Sequence, residues 1–223
     1  NPRVLQLMSD TAKTVCEGEV AQIQHQYDLS LSRVRYLKII GWKTASLMGA
    51  SAQAGALLGG ASESAAARLR VFGTCFGLAF QILDDTEDLL GEEEMAGKSL
   101  GTDLALGQMT LPLLYLRDSA GPELRNQLTQ WFNNLPGWQF GNGSYSGARI
   151  QEQVQLLKRE AIRHQVPAHC LKVANRYLAK ARAALAPFQI MLGPERFAVL
   201  VDSEEAHVQI EARIFKIVRI AAE

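Results

Sequence analysis

A long helix-forming stretch, residues 65–90, constrains the fold of this chain more than any other feature. Ser62, a good helix-capping residue, precedes it, and its residues combine high helix propensity with an apolar character. Apolar residues recur at helical spacing elsewhere too, and no segment has the alternating pattern of a half-buried strand. The sequence therefore predicts an all-α fold.

Further helices are predicted on both sides of this stretch. Upstream, they cover residues 3–26, with an interruption at Gly18, and about 33 to the mid-fifties, where Gly59 and Gly60 end the helix. Downstream, the pattern predicts a loop over 91–108, a helix from Thr110 to Arg117 with Pro112 in its first turn, a break from Asn133 to Gly147, and helices at about 149–164, 168–186 and 194–219.

Composition excludes several classes of function. The 23 basic and 23 acidic residues cancel, so no overall charge recruits nucleic acid or an anionic membrane. Cys16, Cys75 and Cys170 are widely spaced, which argues against a disulfide framework or a zinc site and favours a reducing compartment. The most apolar stretch, 44–61, consists mainly of Ala, Ser and Gly and predicts no transmembrane segment. Any phosphate binding must therefore be local.

Three carboxylates close the long helical stretch. Asp84 and Asp88 lie four residues apart on one helix face, Asp85 is turned by about 100° from Asp84, and Gln81 lies one turn earlier. Their mutual repulsion beside an apolar surface calls for a cation, and Mg²⁺ favours one or two carboxylates together with phosphate oxygens. The pattern predicts a Mg²⁺–diphosphate site with Asp84, Asp85 and Asp88 as metal ligands. A solvated acidic helix end is the alternative.

Other residues suit the anion of such a site. Lys43 and Thr44 lie in a helix among apolar neighbours, where a lysine needs an anionic partner or must reach the rim. Lys98 follows in the loop, and the segment 101–103 could present backbone donors to an anion. Gly73 and Gly77 share a face that either another helix or a flat apolar ligand can approach closely.

In this order and spacing, the residues resemble the trans-isoprenyl diphosphate synthases, or polyprenyl synthetases. The match keeps its register over residues 1–117 and is looser beyond 120. The residues that carry it are Gly18-Glu19 with Gln22, Lys43-Thr44, the segment 77–88 from Gly-Leu-Ala-Phe to Asp-Asp-Thr-Glu-Asp, Gly97-Lys98, Gly101-Thr102-Asp103-Leu104 and Thr110-Leu-Pro112.

The resemblance implies an isoprenoid-synthase-type bundle of mostly antiparallel helices around a central prenyl pocket, as a single domain over 1–223. The three aspartates would be the second aspartate-rich motif, which binds Mg²⁺. The implied catalytic residues are Lys43, Thr44, Gln81 and Lys98, and the implied substrate-binding residues are these four with Gln22 and Asp103. The implied reaction extends an allylic prenyl diphosphate with isopentenyl diphosphate, in a cytoplasmic homodimer.

The chain also departs from the family pattern. The first aspartate-rich motif is absent from residues 1–223, so we expect the N-terminal helices of the fold to be missing. Gln108 stands where a third lysine is usual, and His25 stands at the pocket edge where short-chain members often carry a carboxylate. Two alternatives stay open. One is a noncatalytic or regulatory subunit of a heteromeric prenyl synthase, and the other is a class I terpene cyclase.

Overall fold

The computed structural model describes residues 1–91, 101–134 and 147–201. Within these ranges the regular elements are helices and no strand is present, which confirms the predicted all-α class. In chain order they are α1 (Pro2–Gln24), α2 (Arg33–Ile40), a π-helical segment (Gly41–Ala45), α3 (Ser46–Leu58), α4 (Glu63–Leu90), α5 (Thr102–Ala105), α6 (Leu111–Ser119), α7 (Pro122–Asn134), α8 (Gly147–Arg163) and α9 (Val166–Val201).

Helix α1 continues through Gly18, so the predicted interruption there is wrong. A Cβ atom at Gly18 would lie 2.4 Å from the backbone nitrogen of Lys43, closer than side chains tolerate. The glycine therefore lets α1 approach the π-helical segment closely. Its cost in helix propensity is small, about 1 kcal/mol, and tertiary packing of the helix outweighs it.

The second predicted helix contains a turn of different geometry. Ser32 caps α2 by accepting a hydrogen bond from the Arg35 backbone nitrogen at 3.1 Å. The π-helical segment then carries Lys43 and Thr44 before α3 resumes regular geometry. Single π-helical turns inside helices are rare and often mark functional sites. Local propensity does not reveal such a turn.

Helix α4 is the long helix that the sequence predicted, and it packs against α3 and α9. Ser62 caps it by accepting from the Ala65 nitrogen at 3.3 Å. Its glycines serve helix packing, because a Cβ at Gly73 would lie 2.5 Å from the Met48 carbonyl oxygen and one at Gly77 would lie 2.7 Å from the Ala45 Cα. The sequence allowed either another helix or a flat apolar ligand at this glycine face, and the structure places another helix there.

Within the described ranges, α4 is also the helix whose length and hydropathy would allow it to cross a membrane. This is weak evidence for a membrane span, because the core helix of a globular protein meets the same criterion. A third of its most apolar window is buried inside the protein, and its last two turns carry buried acidic residues.

The C-terminal half differs more from the sequence prediction. Helix α7 was not predicted, and α9 runs unbroken where two helices, 168–186 and 194–219, were expected. Pro187 lies inside α9, and packing of α9 against α4 and α6 outweighs its helix-breaking preference. Residues 202–219 and most of the predicted break at 133–147 lie outside the described residues.

The hydrophobic core surrounds the C-terminal end of α4. Ile82, Leu83 and Leu90 of this helix are fully buried, and they belong to one core cluster with Leu113 and Leu114 of α6. The acidic end of α4 is therefore embedded in the protein rather than solvated. This excludes the alternative of a solvated acidic helix end.

Candidate functional site

A cavity of about 360 Å³ lies beside the acidic end of α4. Helices α1 and α2, the π-helical segment, α4 and residues 103–110 contribute to its wall. Its polar lining residues are Gln22, His25, Tyr36, Lys43, Gln81, Asp84, Asp85, Asp103, Gln108 and Thr110, and its apolar lining residues are Leu31, Ile39, Ile40, Leu106 and Met109.

Most of the predicted site residues meet at this cavity. The predicted residues that line it are Gln22, Lys43, Gln81, Asp84, Asp85 and Asp103. Thr44 lies behind the lining, where its hydroxyl donates to the Gln81 Oε1 atom at 2.8 Å. Asp88 is buried but does not line the cavity, and Lys98 lies outside the described residues.

Asp85 is held at the cavity by donors on both of its carboxylate oxygens. The Tyr36 hydroxyl donates to Oδ2 at 2.5 Å, and the Gln81 side-chain amide donates to Oδ1 at 2.7 Å. The pKa of Asp85 is raised to about 6, mainly by burial; the charges of Asp84 and Asp88 also raise this pKa, and the hydrogen bonds from Tyr36 and Gln81 lower it. The chain Thr44–Gln81–Asp85–Tyr36 thus orders one carboxylate of the cavity.

Asp88 points to the loop that follows α4. Its Oδ1 accepts from the Thr102 hydroxyl at 2.8 Å, and its Oδ2 accepts from the Asp103 backbone nitrogen at 3.0 Å. The Gly101 nitrogen donates to the Asp88 carbonyl at 2.9 Å. The backbone nitrogens of Gly101 and Asp103, which the sequence suggested as donors to a bound anion, therefore donate to Asp88 instead, and this interpretation of segment 101–103 is corrected.

The side chain of Asp103, rather than its backbone, faces the cavity. The pKa of Asp103 is raised to about 8, mainly by burial; the charges of Asp85, Asp88 and Asp84 also raise this pKa, and Lys43 lowers it. Carboxylates that repel one another in a shared cavity form a site where a cation lowers the free energy. In the described residues no group of three His, Cys, Asp or Glu side chains is gathered as a metal cluster.

Lys43 supplies the ammonium group of the lining. Its Nζ lies 3.4 Å from the Glu19 carboxylate of α1, and its side chain is 28% exposed. The lysine predicted to need an anion therefore has a partner, but Glu19 is itself 48% exposed. An ion pair this exposed is worth about 0–1 kcal/mol, so an incoming anion can replace Glu19 at little cost.

The loop between α1 and α2 fixes the apolar edge of the cavity. The Arg117 guanidinium donates to the carbonyls of Leu29 and Leu31 at 2.7 and 2.8 Å. The Tyr27 nitrogen donates to the Gly107 carbonyl at 2.7 Å. Gly107 has φ +69, and a Cβ there would meet the Tyr27 ring at 2.3 Å, so both the backbone and the contact require glycine.

His25 lies at the cavity edge, as the sequence predicted. Its Nδ1 is 2.8 Å from the Asp28 carboxylate, and the Arg35 Nε atom donates to its Nε2 at 3.3 Å. Both ring nitrogens are therefore used within the protein.

Sequence reasoning missed Tyr36 and the apolar residues Leu106 and Met109 as lining residues. Tyr36 lies seven residues before Lys43, about two helical turns, so a common helix face was a usable signal. No sequence signal places Leu106 and Met109 at the cavity, because they belong to short irregular segments around α5.

Comparison with known proteins identifies the family of this chain. The family model described as polyprenyl synthetase matches residues 1–137. A stretch of 115 residues is 46% identical to heptaprenyl diphosphate synthase component 2 of Geobacillus stearothermophilus, covering 52% of this chain and 36% of that protein. The protein of the same name from Bacillus subtilis is 33% identical over 180 residues, covering 81% of this chain and 47% of that protein.

Solved structures are similar as well. A polyprenyl synthase of Caulobacter crescentus, complexed with calcium and isoprenyl diphosphate, superposes with a TM-score of 0.74 at 31% identity, covering 83% of this chain and 53% of that one. A heptaprenyl diphosphate synthase of Staphylococcus aureus gives a TM-score of 0.67 at 28% identity, covering 84% and 54%. The chain thus spans about half the length of the relatives that it matches.

Proposed function

Because this chain belongs to the polyprenyl synthetase family, we propose that it is the part of a prenyltransferase that binds an allylic prenyl diphosphate and releases its diphosphate. One observation carries the proposal. Lys43, Asp84, Asp85 and Asp103 face the same cavity, whose wall also includes the apolar residues Leu31, Ile39, Ile40, Leu106 and Met109. A diphosphate joined to a hydrocarbon chain needs both kinds of surface.

The lining suggests how such a substrate would lie. The ammonium of Lys43 would attract the diphosphate, which would replace Glu19 as the ionic partner of the lysine. Ile39, Ile40 and Met109 would face the hydrocarbon and exclude water from the carbon that develops positive charge. The two ends of the substrate would thus bind different residues of one cavity.

The donor set is compatible with Mg²⁺. Asp84 and Asp85 line the cavity and would hold the ion, whereas Asp88 would first have to give up its bonds to Thr102 and Asp103. Mg²⁺ favours one or two carboxylates with phosphate oxygens, so a preformed cluster of three is not required. When bound, the ion would neutralise part of the diphosphate charge and ease its departure.

In the proposed reaction, the bond between carbon 1 of the allylic substrate and its diphosphate oxygen breaks, and diphosphate departs. The double bond of isopentenyl diphosphate forms the new carbon–carbon bond to that carbon, and loss of a proton restores a double bond. The residues of this chain would hold the departing diphosphate through Lys43. During this step Gln81, itself held by Thr44, would keep the Asp85 carboxylate in a fixed orientation.

A second candidate is a subunit of a two-part enzyme. Two relatives are named component 2 of heptaprenyl diphosphate synthase, and this favours a heteromeric assembly over the predicted homodimer. The relatives described above are all named as prenyl synthases, which favours chain extension over the cyclase alternative. A cytoplasmic location remains a prediction.

The proposal is tested by supplying the full-length protein with Mg²⁺, labelled isopentenyl diphosphate, and C5, C10 and C15 allylic diphosphates in turn. An extended prenyl diphosphate supports the transferase. Mg²⁺-dependent binding of the allylic diphosphate without product supports the subunit instead. Absence of both binding and product contradicts the diphosphate site itself.

A further inference from the structure

The buried phenol of Tyr36 reaches the acidic end of α4 from a separate helix. Tyr36 belongs to α2, lies 49 residues from Asp85 in the chain, and is only 4% exposed. Its hydroxyl donates to Asp85 Oδ2 at 2.5 Å, and the tyrosine also lines the cavity. Its ring packs in the hydrophobic core beside Ile39 and Ile40.

The Tyr36 hydroxyl is the group that hydrogen-bonds to Asp85. Gln81 occupies the other carboxylate oxygen, and Thr44 fixes the orientation of the Gln81 amide by donating to its oxygen. With a donor on each oxygen, the plane of the Asp85 carboxylate is fixed, and each oxygen keeps a further lone pair. Those lone pairs are the ones available to a ligand in the cavity.

We propose that Tyr36 is a positioning residue that orients the Asp85 carboxylate for the cation of the diphosphate site. This rests on the proposed function and adds to it a residue that acts on the cation through Asp85. A hydrogen-bonding partner behind a metal ligand typically changes metal affinity about 10–100-fold when it is removed. Tyr36 would therefore act on the Mg²⁺ dependence of binding rather than on the fold alone.

The test compares the wild-type full-length protein with Tyr36→Phe, which removes the hydroxyl and keeps the ring in the core. A slowly reacting thiolo analogue of geranyl diphosphate is titrated calorimetrically at several fixed Mg²⁺ concentrations. We expect its Kd to rise about 10–100-fold in the variant at low Mg²⁺ and to approach the wild-type value at high Mg²⁺. A merely structural role would lower the metal-free melting temperature without this Mg²⁺ dependence.

Tyr115→Phe is the matched control, because it removes the same atom from a half-buried tyrosine of α6 whose ring lies 5.2 Å from His169, away from the cavity. A double-mutant cycle adds a second measurement. If Tyr36 acts through Asp85, then Tyr36→Phe has no further effect on Kd in an Asp85→Asn background.

Three results would overturn the role of Tyr36 and leave the proposed function intact. They are an unchanged Kd in Tyr36→Phe at every Mg²⁺ concentration, a loss that Mg²⁺ does not restore, and an equal loss in Tyr115→Phe. Failure of the wild-type protein to bind the analogue with Mg²⁺ is a different outcome. It would overturn the proposed function and the role of Tyr36 together.

Discussion

Gly18→Ala tests whether the contact between α1 and the π-helical segment determines the geometry of the site. The added Cβ would lie 2.4 Å from the Lys43 nitrogen and 2.8 Å from the Lys43 Cα, and both are backbone atoms that cannot rotate away. An ordinary contact begins at 3.4 Å, so α1 or the segment must move by about 1 Å. The substitution should therefore displace Lys43 relative to Gln22 on α1.

The expected magnitude combines two opposing effects. Overpacking against an unyielding neighbour costs about 1–3 kcal/mol, and alanine regains about 1 kcal/mol of helix propensity over glycine. Because the obstacle is backbone, we place the overpacking cost near its upper end. The free energy of unfolding should then fall by about 1–2 kcal/mol, and the KM for the allylic diphosphate should rise.

Gly55→Ala is the matched control. Gly55 lies inside α3, and a Cβ there would meet no atom within 4 Å. This variant should gain about 0.5–1 kcal/mol, because only helix propensity changes. Urea unfolding followed by circular dichroism measures both values. If Gly18→Ala is as stable as Gly55→Ala, the close approach is not a constraint and the reasoning is refuted.

The other predictions concern charge at the cavity. Asp84→Ala should abolish Mg²⁺-dependent binding of diphosphate, whereas Asp10→Ala, at an exposed position of α1, should not; equal losses would mean that only overall charge matters. Gln108→Lys should tighten that binding, measured by calorimetry, because it adds a cation to the lining, and no change would exclude position 108 from the site. In the folded protein the pKa values of Asp85 and Asp103 are about 6 and about 8, against 3.8 as the ordinary value. The stability that these two groups contribute is therefore complete below about pH 4 and is lost as the pH rises to about 8. Asp103→Asn should make the free energy of unfolding of the metal-free protein fall less steeply with pH over this range. An unchanged slope would contradict the prediction.

The local features of this fold could be predicted from the sequence. Ser32 and Ser62 mark helix starts, and Pro112 lies in the first turn of α6, as expected from its missing backbone donor. Helix α4 was predicted almost to its ends, because periodicity and capping depend on residues within a turn or two of one another. The same local spacing placed Gln81 and Asp84 on one helix end, and both line the cavity.

Contacts between distant segments required the tertiary structure. Gly18 was interpreted as a helix interruption, because a glycine that breaks a helix and one that admits a neighbour look alike in sequence. What distinguishes the two cases here is the neighbouring backbone. Lys43 is 25 residues away in the chain, but its backbone nitrogen lies 2.4 Å from where a Cβ atom of residue 18 would be. The π-helical turn at this contact was likewise invisible to residue propensity.

The acidic cluster separates the two kinds of information most clearly. The sequence determined that Asp84, Asp85 and Asp88 share the end of one helix, because the helical repeat fixes their angles about its axis. Only the tertiary structure decided that Asp85 meets Tyr36 while Asp88 meets Thr102 and Asp103. A helix sets the direction of each side chain, but the donors that satisfy a buried carboxylate come from whichever elements pack against that face.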